Sequence, residues 1–92
     1  MAREMEKYLV EFLGPPFFLY VIISNGNALA IGAALAIAIL VGGSISGGNF
    51  NPAVSVMMMA AGKLKTKDGV CYIIAQLLGA MLALALYKHL KF

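Results

Sequence analysis

Apolar residues dominate three stretches of the chain, and each is close to the length of a membrane-spanning helix. The stretches are residues 5–24, 28–43 and 69–87. About 20 helical residues are needed to cross about 30 Å of hydrocarbon. No charged residue occurs between Glu11 and Lys63. The pattern therefore predicts an all-α membrane protein with three transmembrane helices, and Pro15-Pro16 predicts a bend in the first of them.

Residues 44–61 interrupt this pattern without introducing a charge. The first part is rich in glycine, whereas Asn51-Pro52 favours a helix start, because Asn is a strong N-cap and Pro suits the first helical position. About nine residues then precede Gly62, enough for about half the thickness of a bilayer. Irregular backbone at membrane depth must be buried in protein or line a wet cavity. The stretch therefore predicts a re-entrant loop and a half-helix whose positive dipole end lies near the membrane midplane.

Two pairs of small residues are spaced four positions apart within the predicted spans. Gly32 and Ala36 form one pair, and Gly79 and Ala83 form the other. Small residues at this spacing allow helix backbones to approach closely in lipid. We therefore expect both pairs to lie at helix–helix contacts.

Charge is sparse, and its placement indicates membrane topology. The chain has 92 residues, which we interpret as a single domain over residues 1–92. It is 62% hydrophobic and 12% charged, with a formal net charge of +3. The basic residues flank the apolar stretches: Arg3, Lys7, Lys63, Lys65, Lys67, Lys88 and Lys91. Flanking charges orient membrane proteins, whereas a nucleic-acid site gathers them on one face among aromatic residues. We expect an integral, multi-pass membrane protein that contacts lipid and binds no nucleic acid. We also expect Asp68 to be the N-cap of the third span.

The residues that usually carry catalysis or bind metals are few and scattered. The chain has one His, one Cys and one Asp, and none lies beside a recognisable nucleophile or ligand set. Met57, Met58 and Met59 are consecutive, so on a helix they point in different directions and cannot all face one ion. We expect no enzymatic activity, no cofactor and no metal site.

Three segments of the chain carry a combined resemblance to one protein family. They are residues 46–55, Ser-Gly-Gly-Asn-Phe-Asn-Pro-Ala-Val-Ser, residues 11–14, Glu-Phe-Leu-Gly, and residues 75–80, Ala-Gln-Leu-Leu-Gly-Ala. Together they resemble the aquaporin, or major intrinsic protein, family: the first segment is similar to its first asparagine–proline–alanine loop and the start of its half-helix, the second to its first helix, and the third to its third helix. The resemblance implies one aquaporin-like repeat, with three transmembrane helices and one re-entrant half-helix.

The resemblance also implies roles for individual residues. Asn51 would be the amide donor of the pore, Pro52 and Ala53 would fix the loop tip, and Glu11 would brace the loop from the first helix. Backbone carbonyls of the pore wall would come from Gly47, Gly48 and Asn49, where many members have His in place of Asn49. Ile31 would contribute to the selectivity filter in place of an aromatic residue. Val54 occupies the place that matches the filter Arg of the family's second repeat.

Family members have two inverted repeats, so the resemblance covers the first repeat only. The implied function is a passive channel for water or small neutral solutes such as glycerol, with a pore formed by two half-repeats. The second half would come from an inverted copy of this chain, in a homo-oligomer that could assemble around a four-fold axis, or from a separate partner chain. One alternative is a small-solute channel that leaks ions. Another is a non-conducting structural or regulatory half-subunit that associates with other aquaporin-like chains.

Overall fold

A computed structural model describes residues 2–90, with side chains from residue 4 onward, and this part of the chain is helical with short connections. The helices are α1 (Ala2–Ser24), α2 (Ala28–Ser46), α3 (Pro52–Ala60) and α4 (Thr66–Leu90). Helices α1, α2 and α4 are long and apolar enough to cross a membrane. The Arg3 side chain and Lys91, from the predicted basic clusters, lie outside the described residues.

The helix ends follow from local chemistry. Asn27 caps α2 by accepting the Ala30 N–H at 3.0 Å. Helix α2 continues three residues beyond its predicted end, because the backbone leaves the helical region only at Gly47, whose φ is 93°. A left-handed residue after a helix is a common stop signal and favours glycine. Residues 44–46 are therefore helical, and the irregular segment is confined to residues 47–51, called loop 47–51 below.

Helix α4 starts three residues earlier than predicted, so the expectation that Asp68 caps it was wrong. Asp68 lies inside the first turn and pairs with α1 instead. Its carboxylate accepts hydrogen bonds from Lys7 Nζ at 3.0 Å and from the Tyr8 hydroxyl at 2.8 Å. These bonds tie the N-terminal end of α1 to that of α4.

Helix α1 packs against α2 on one side and α4 on the other, and α3 packs against α4. Both prolines of α1 lie inside the continuous helix and are buried. Gly79 allows the close approach of α4, because a Cβ there would lie 2.5 Å from the Phe12 carbonyl oxygen. That carbonyl is the one that Pro16, lacking an N–H, leaves without its helical donor.

The two predicted pairs of small residues have different surroundings. Gly79 and Ala83 are buried at the α1–α4 contact, as expected. Gly32 and Ala36 are exposed, and a Cβ at Gly32 would meet no atom within 4 Å in the described part of the chain. The expectation of a helix contact at Gly32 is therefore wrong within this single chain.

Large apolar side chains cover much of the outer surface of the helices. Leu29, Leu40 and Val41 on α2 are 84%, 82% and 73% exposed. A water-soluble protein rarely exposes such contiguous apolar surface, whereas a lipid bilayer solvates it. Together with the three long apolar helices, this surface identifies an integral, multi-pass membrane protein.

Candidate functional site

Loop 47–51 connects α2 to α3 through three residues with left-handed backbone. Gly47, Gly48 and Phe50 have φ values of 93°, 67° and 56°. Glycine adopts this conformation freely, whereas Phe50 incurs a cost of about 1–2 kcal/mol. The Phe50 ring is 2% exposed and fills the space beside Gly14 and Gly42, where a Cβ would collide with it or crowd it. Burial of this ring between α1 and α2 offsets the backbone strain and fixes the loop to the helix pair.

Glu11 of α1 is the main anchor of the loop. Its side chain is 0% exposed, and each carboxylate oxygen accepts two hydrogen bonds. Oε2 accepts from Ser46 Oγ at 2.6 Å and from Asn49 N at 3.1 Å. Oε1 accepts from Phe50 N at 2.8 Å and from Gln76 Nε2 at 2.7 Å. Neutral donors thus satisfy the buried carboxylate, and among the described residues no cationic side chain contacts it.

Helix α4 supplies two further anchors. The Tyr72 hydroxyl donates to the carbonyl oxygen of Ser46 at 2.7 Å. Gln76 Nε2 donates to Ser55 Oγ at 2.8 Å as well as to Glu11, so one nitrogen joins α1 to α3. Ser55 Oγ also accepts from Asn49 Nδ2 at 3.2 Å. Consequently the Asn49 side chain is buried and ties the loop to the first turn of α3.

The anchors also set the depth of the loop. Gln76 lies ten residues after the start of α4 at Thr66, which corresponds to about 15 Å along the helix. That distance is about half the thickness of the hydrocarbon core. The nine residues of α3 likewise cover about 14 Å, so α3 extends from this depth back toward one surface.

Asn51 is exposed at the tip of the loop and caps α3. Its Oδ1 accepts the Ala53 N–H at 2.8 Å, while its amide nitrogen makes no hydrogen bond to any described residue. The carbonyl oxygens of residues 47–50 also accept no hydrogen bond within the described part of the chain. The N-terminus of α3 adds the partial positive charge of its unpaired N–H groups. The loop therefore combines free acceptors, a free amide NH₂ group and a positive helix end.

Most of the residues singled out from the sequence come together here. The structure places one group at the loop and the first turn of α3: Glu11, Gly47, Gly48, Asn49, Asn51, Pro52, Ala53 and Val54. Ile31 is separate, since it precedes Ser46 by 15 residues on α2, about 22 Å along the helix. In the described residues, no group of His, Cys, Asp and Glu side chains is arranged to hold a metal ion.

Sequence reasoning missed four residues of the anchoring network: Ser46, Ser55, Tyr72 and Gln76. A signal existed for Gln76, which is the only strongly polar side chain in the middle of the third span. A polar group at that depth needs a partner inside the protein. Ser46, Ser55 and Tyr72 carried no such signal, because hydroxyl groups are frequent in membrane helices.

Comparison with known proteins decides the family. The family model described as Major intrinsic protein matches residues 2–91, nearly the whole chain. The chain belongs to the major intrinsic protein family.

Several curated relatives in this family are similar to the chain over most of its length. "Glycerol uptake facilitator protein-like 6" of Lactiplantibacillus plantarum is 44% identical over 93 residues, covering 91% of the chain and 43% of that protein. "Aquaporin-8" of Rattus norvegicus is 41% identical over 91 residues, covering 87% of the chain and 35% of that protein. "Aquaporin Z" of Brucella melitensis is 53% identical over 62 residues, covering 66% and 27%. The chain thus spans less than half the length of these relatives, and no solved structure matches it significantly.

Proposed function

We propose that this chain forms half of the wall of a passive channel for water or small neutral solutes such as glycerol. The observation that carries the proposal is loop 47–51, with four unpaired carbonyls and the Asn51 amide nitrogen at about mid-membrane depth. Unpaired polar backbone is tolerated at that depth only where protein or water satisfies it. Water and glycerol both donate and accept hydrogen bonds, so either solute complements this set of groups.

The electrostatics of the loop favour neutral solutes over cations. The positive end of α3 lies at Asn51, and the negative charge of Glu11 is surrounded by four hydrogen-bond donors. A cation that leaves water at this depth loses its hydration and meets a positive helix dipole. The names of the relatives, glycerol uptake facilitator and aquaporin, support the same class of solute.

The other half of the pore wall is a second repeat of the same kind, inverted in the membrane. Asn51 and Gly47 are exposed in the single repeat, so the polar face of the loop needs a partner or water to cover it. An inverted copy would bring two half-helices together with their positive ends at the centre. In this arrangement the pore lies between two repeats, and Ile31 and Val54 contribute to its wall at different depths.

Osmotic shrinkage of liposomes tests this proposal. The purified chain is reconstituted, and shrinkage after an osmotic step is followed by stopped-flow light scattering, with either an impermeant solute or glycerol outside. We expect shrinkage faster than in protein-free liposomes. Asn51→Asp keeps the oxygen that caps α3 but replaces the free amide donor by a negative charge, so the added permeability should disappear.

Asn25→Asp is the matched control. Asn25 lies in the exposed turn between α1 and α2, and its Oδ1 accepts the Asn27 N–H at 3.0 Å, a bond that Asp retains. We expect this variant to conduct like the wild type. A folded, inserted wild-type chain that shrinks no faster than protein-free liposomes would refute the self-paired pore and favour the non-conducting half-subunit. Equal loss in both variants would refute the role of Asn51.

A further inference from the structure

The amide of Gln76 has an unequal set of contacts. The side chain is 2% exposed. Its nitrogen makes two hydrogen bonds, to Glu11 Oε1 at 2.7 Å and to Ser55 Oγ at 2.8 Å. Its oxygen is the only buried side-chain polar atom without a partner among the described residues. An unpaired buried carbonyl lowers the stability of the folded protein, so the contacts of the amide nitrogen must favour this orientation.

The opposite orientation of the Gln76 amide would give its oxygen a donor but would place that oxygen against an acceptor. With nitrogen and oxygen exchanged, Gln76 Oε1 would be able to accept the Ser55 hydroxyl hydrogen. The same oxygen would then lie against Glu11 Oε1, and two acceptor oxygens at hydrogen-bond distance repel each other. A hydrogen bond to a charged acceptor is about twice as strong as one between neutral groups. The acceptor oxygen of Glu11 therefore selects the donating orientation.

Among the described residues, no other charged group near Glu11 competes for this role. Helices α2 and α3 carry no titratable side chain, and neither does loop 47–51. Tyr72 is the titratable residue that α4 places beside the network, and its hydroxyl donates to Ser46. On α1, Lys7 and Tyr8 lie about one turn before Glu11, and both are bonded to Asp68. Gln76 is thus the side chain of α4 that contacts the carboxylate directly.

We propose that Gln76 is a positioning residue, which holds loop 47–51 through Glu11 and Ser55 only while residue 11 offers a carboxylate acceptor. When substitution removes that carboxylate, the amide turns over, Ser55 donates to Gln76 Oε1, and the loop loses its link to α4 through residue 11. This inference rests on the proposed function only in treating loop 47–51 as pore wall. The contacts themselves are testable without any measurement of conduction.

The wild-type protein provides the first test, because Gln76 is the only glutamine in the sequence. Solid-state NMR of proteoliposomes with ¹⁵N-labelled glutamine side chains and ¹³C-labelled glutamate carboxyl groups gives one amide nitrogen signal. We expect a strong dipolar contact between this nitrogen and one carboxyl carbon, that of Glu11. Absence of the contact would overturn the proposal without any variant having to fold.

Variants then test the dependence on charge. Glu11→Met removes the charge with similar side-chain length and adds no second glutamine signal, and Glu6→Met removes an exposed charge of the same helix. We expect Glu11→Met to shift the Gln76 nitrogen signal and Glu6→Met to leave it in place. A signal unchanged in both variants would mean that the Glu11 carboxylate does not hold the amide, and the proposal would fail.

Hydrogen exchange measures the effect on the loop. Gln76→Met keeps a similar shape but removes the amide, so exchange of the Phe50 N–H should accelerate about tenfold or more relative to the Ala30 N–H at the distant α2 cap. In the Glu11→Met background, the same substitution should add nothing. Equal acceleration in both backgrounds would indicate a packing role and overturn the proposal.

Failure of this inference is distinguishable from failure of the proposed function. The NMR contact and the exchange rates depend on the network alone, whereas osmotic shrinkage depends on a complete pore. A protein that shows the expected contacts and conducts no solute would retain the role of Gln76 and refute the channel.

Discussion

The close approach of α1 and α4 at Gly79 gives a prediction whose size can be worked from the structure. A Cβ at position 79 would lie 2.5 Å from the Phe12 carbonyl oxygen, 3.0 Å from Pro16 Cδ and 3.4 Å from Pro15 Cβ. The first contact is with backbone, which no side-chain rotation can relieve. Gly79→Ala therefore requires the two helices to separate by about 1 Å, and overpacking of this kind typically costs about 1–3 kcal/mol.

Gly32→Ala is the matched control, because a Cβ there meets nothing within 4 Å. Both substitutions gain the same helix propensity, about 0.5–1 kcal/mol. That gain cancels when the two variants are compared, so the difference between them isolates the cost of overpacking. We expect Gly79→Ala to be less stable than Gly32→Ala by about 1–3 kcal/mol.

The measurement is unfolding of the detergent-solubilised protein by sodium dodecyl sulfate, followed by far-UV circular dichroism. The expected result is an earlier transition for Gly79→Ala than for the wild type, and a transition at or beyond the wild-type position for Gly32→Ala. If Gly79→Ala unfolds at the same point as Gly32→Ala or later, the contact between α4 and the Phe12 carbonyl is not as close as described.

Two further substitutions test the anchoring of the loop in the same unfolding assay. Tyr72→Phe removes the 2.7 Å hydrogen bond to the Ser46 carbonyl and should lower the free energy of unfolding by about 1–2 kcal/mol. Tyr87 is 41% exposed, so the control substitution Tyr87→Phe should leave the free energy of unfolding unchanged. Equal effects of these two substitutions would contradict the Tyr72 anchor. Gly47→Ala places a side chain on left-handed backbone at φ 93° and should lower the free energy of unfolding by about 1–2 kcal/mol. A Cβ at Gly43 would have its nearest contact at 3.7 Å, so the control substitution Gly43→Ala should be tolerated. A stable Gly47→Ala protein would show that this backbone conformation is not required.

The fold was largely predictable because its main determinants are visible along the sequence. The long apolar stretches indicated the spanning helices, and Asn51-Pro52 indicated the start of α3. Helix ends were less accurate. Gly42 and Gly43 were read as the end of α2, yet both remain helical, because only Gly47 adopts the left-handed conformation.

The candidate site was predictable where the sequence resembles a known family, and less so where the network depends on side-chain geometry. Glu11 was expected to brace the loop, and its carboxylate accepts hydrogen bonds from the Asn49 and Phe50 N–H groups. The position of the Asn49 side chain was not predictable, because the choice between facing the open side and bonding Ser55 depends on distances in three dimensions. The same holds for Gln76, whose polarity was visible and whose two partners were not.

The anchoring of loop 47–51 has a consequence for how the protein is made. The chain is synthesised from the N-terminus, so α1 and α2 are available before the loop, but Tyr72 and Gln76 belong to α4, which is translated after it. The loop cannot complete its hydrogen bonds until α4 has entered the bilayer. During biogenesis the glycine-rich segment therefore reaches its final position only after α4, a transmembrane helix that follows it in sequence, has inserted.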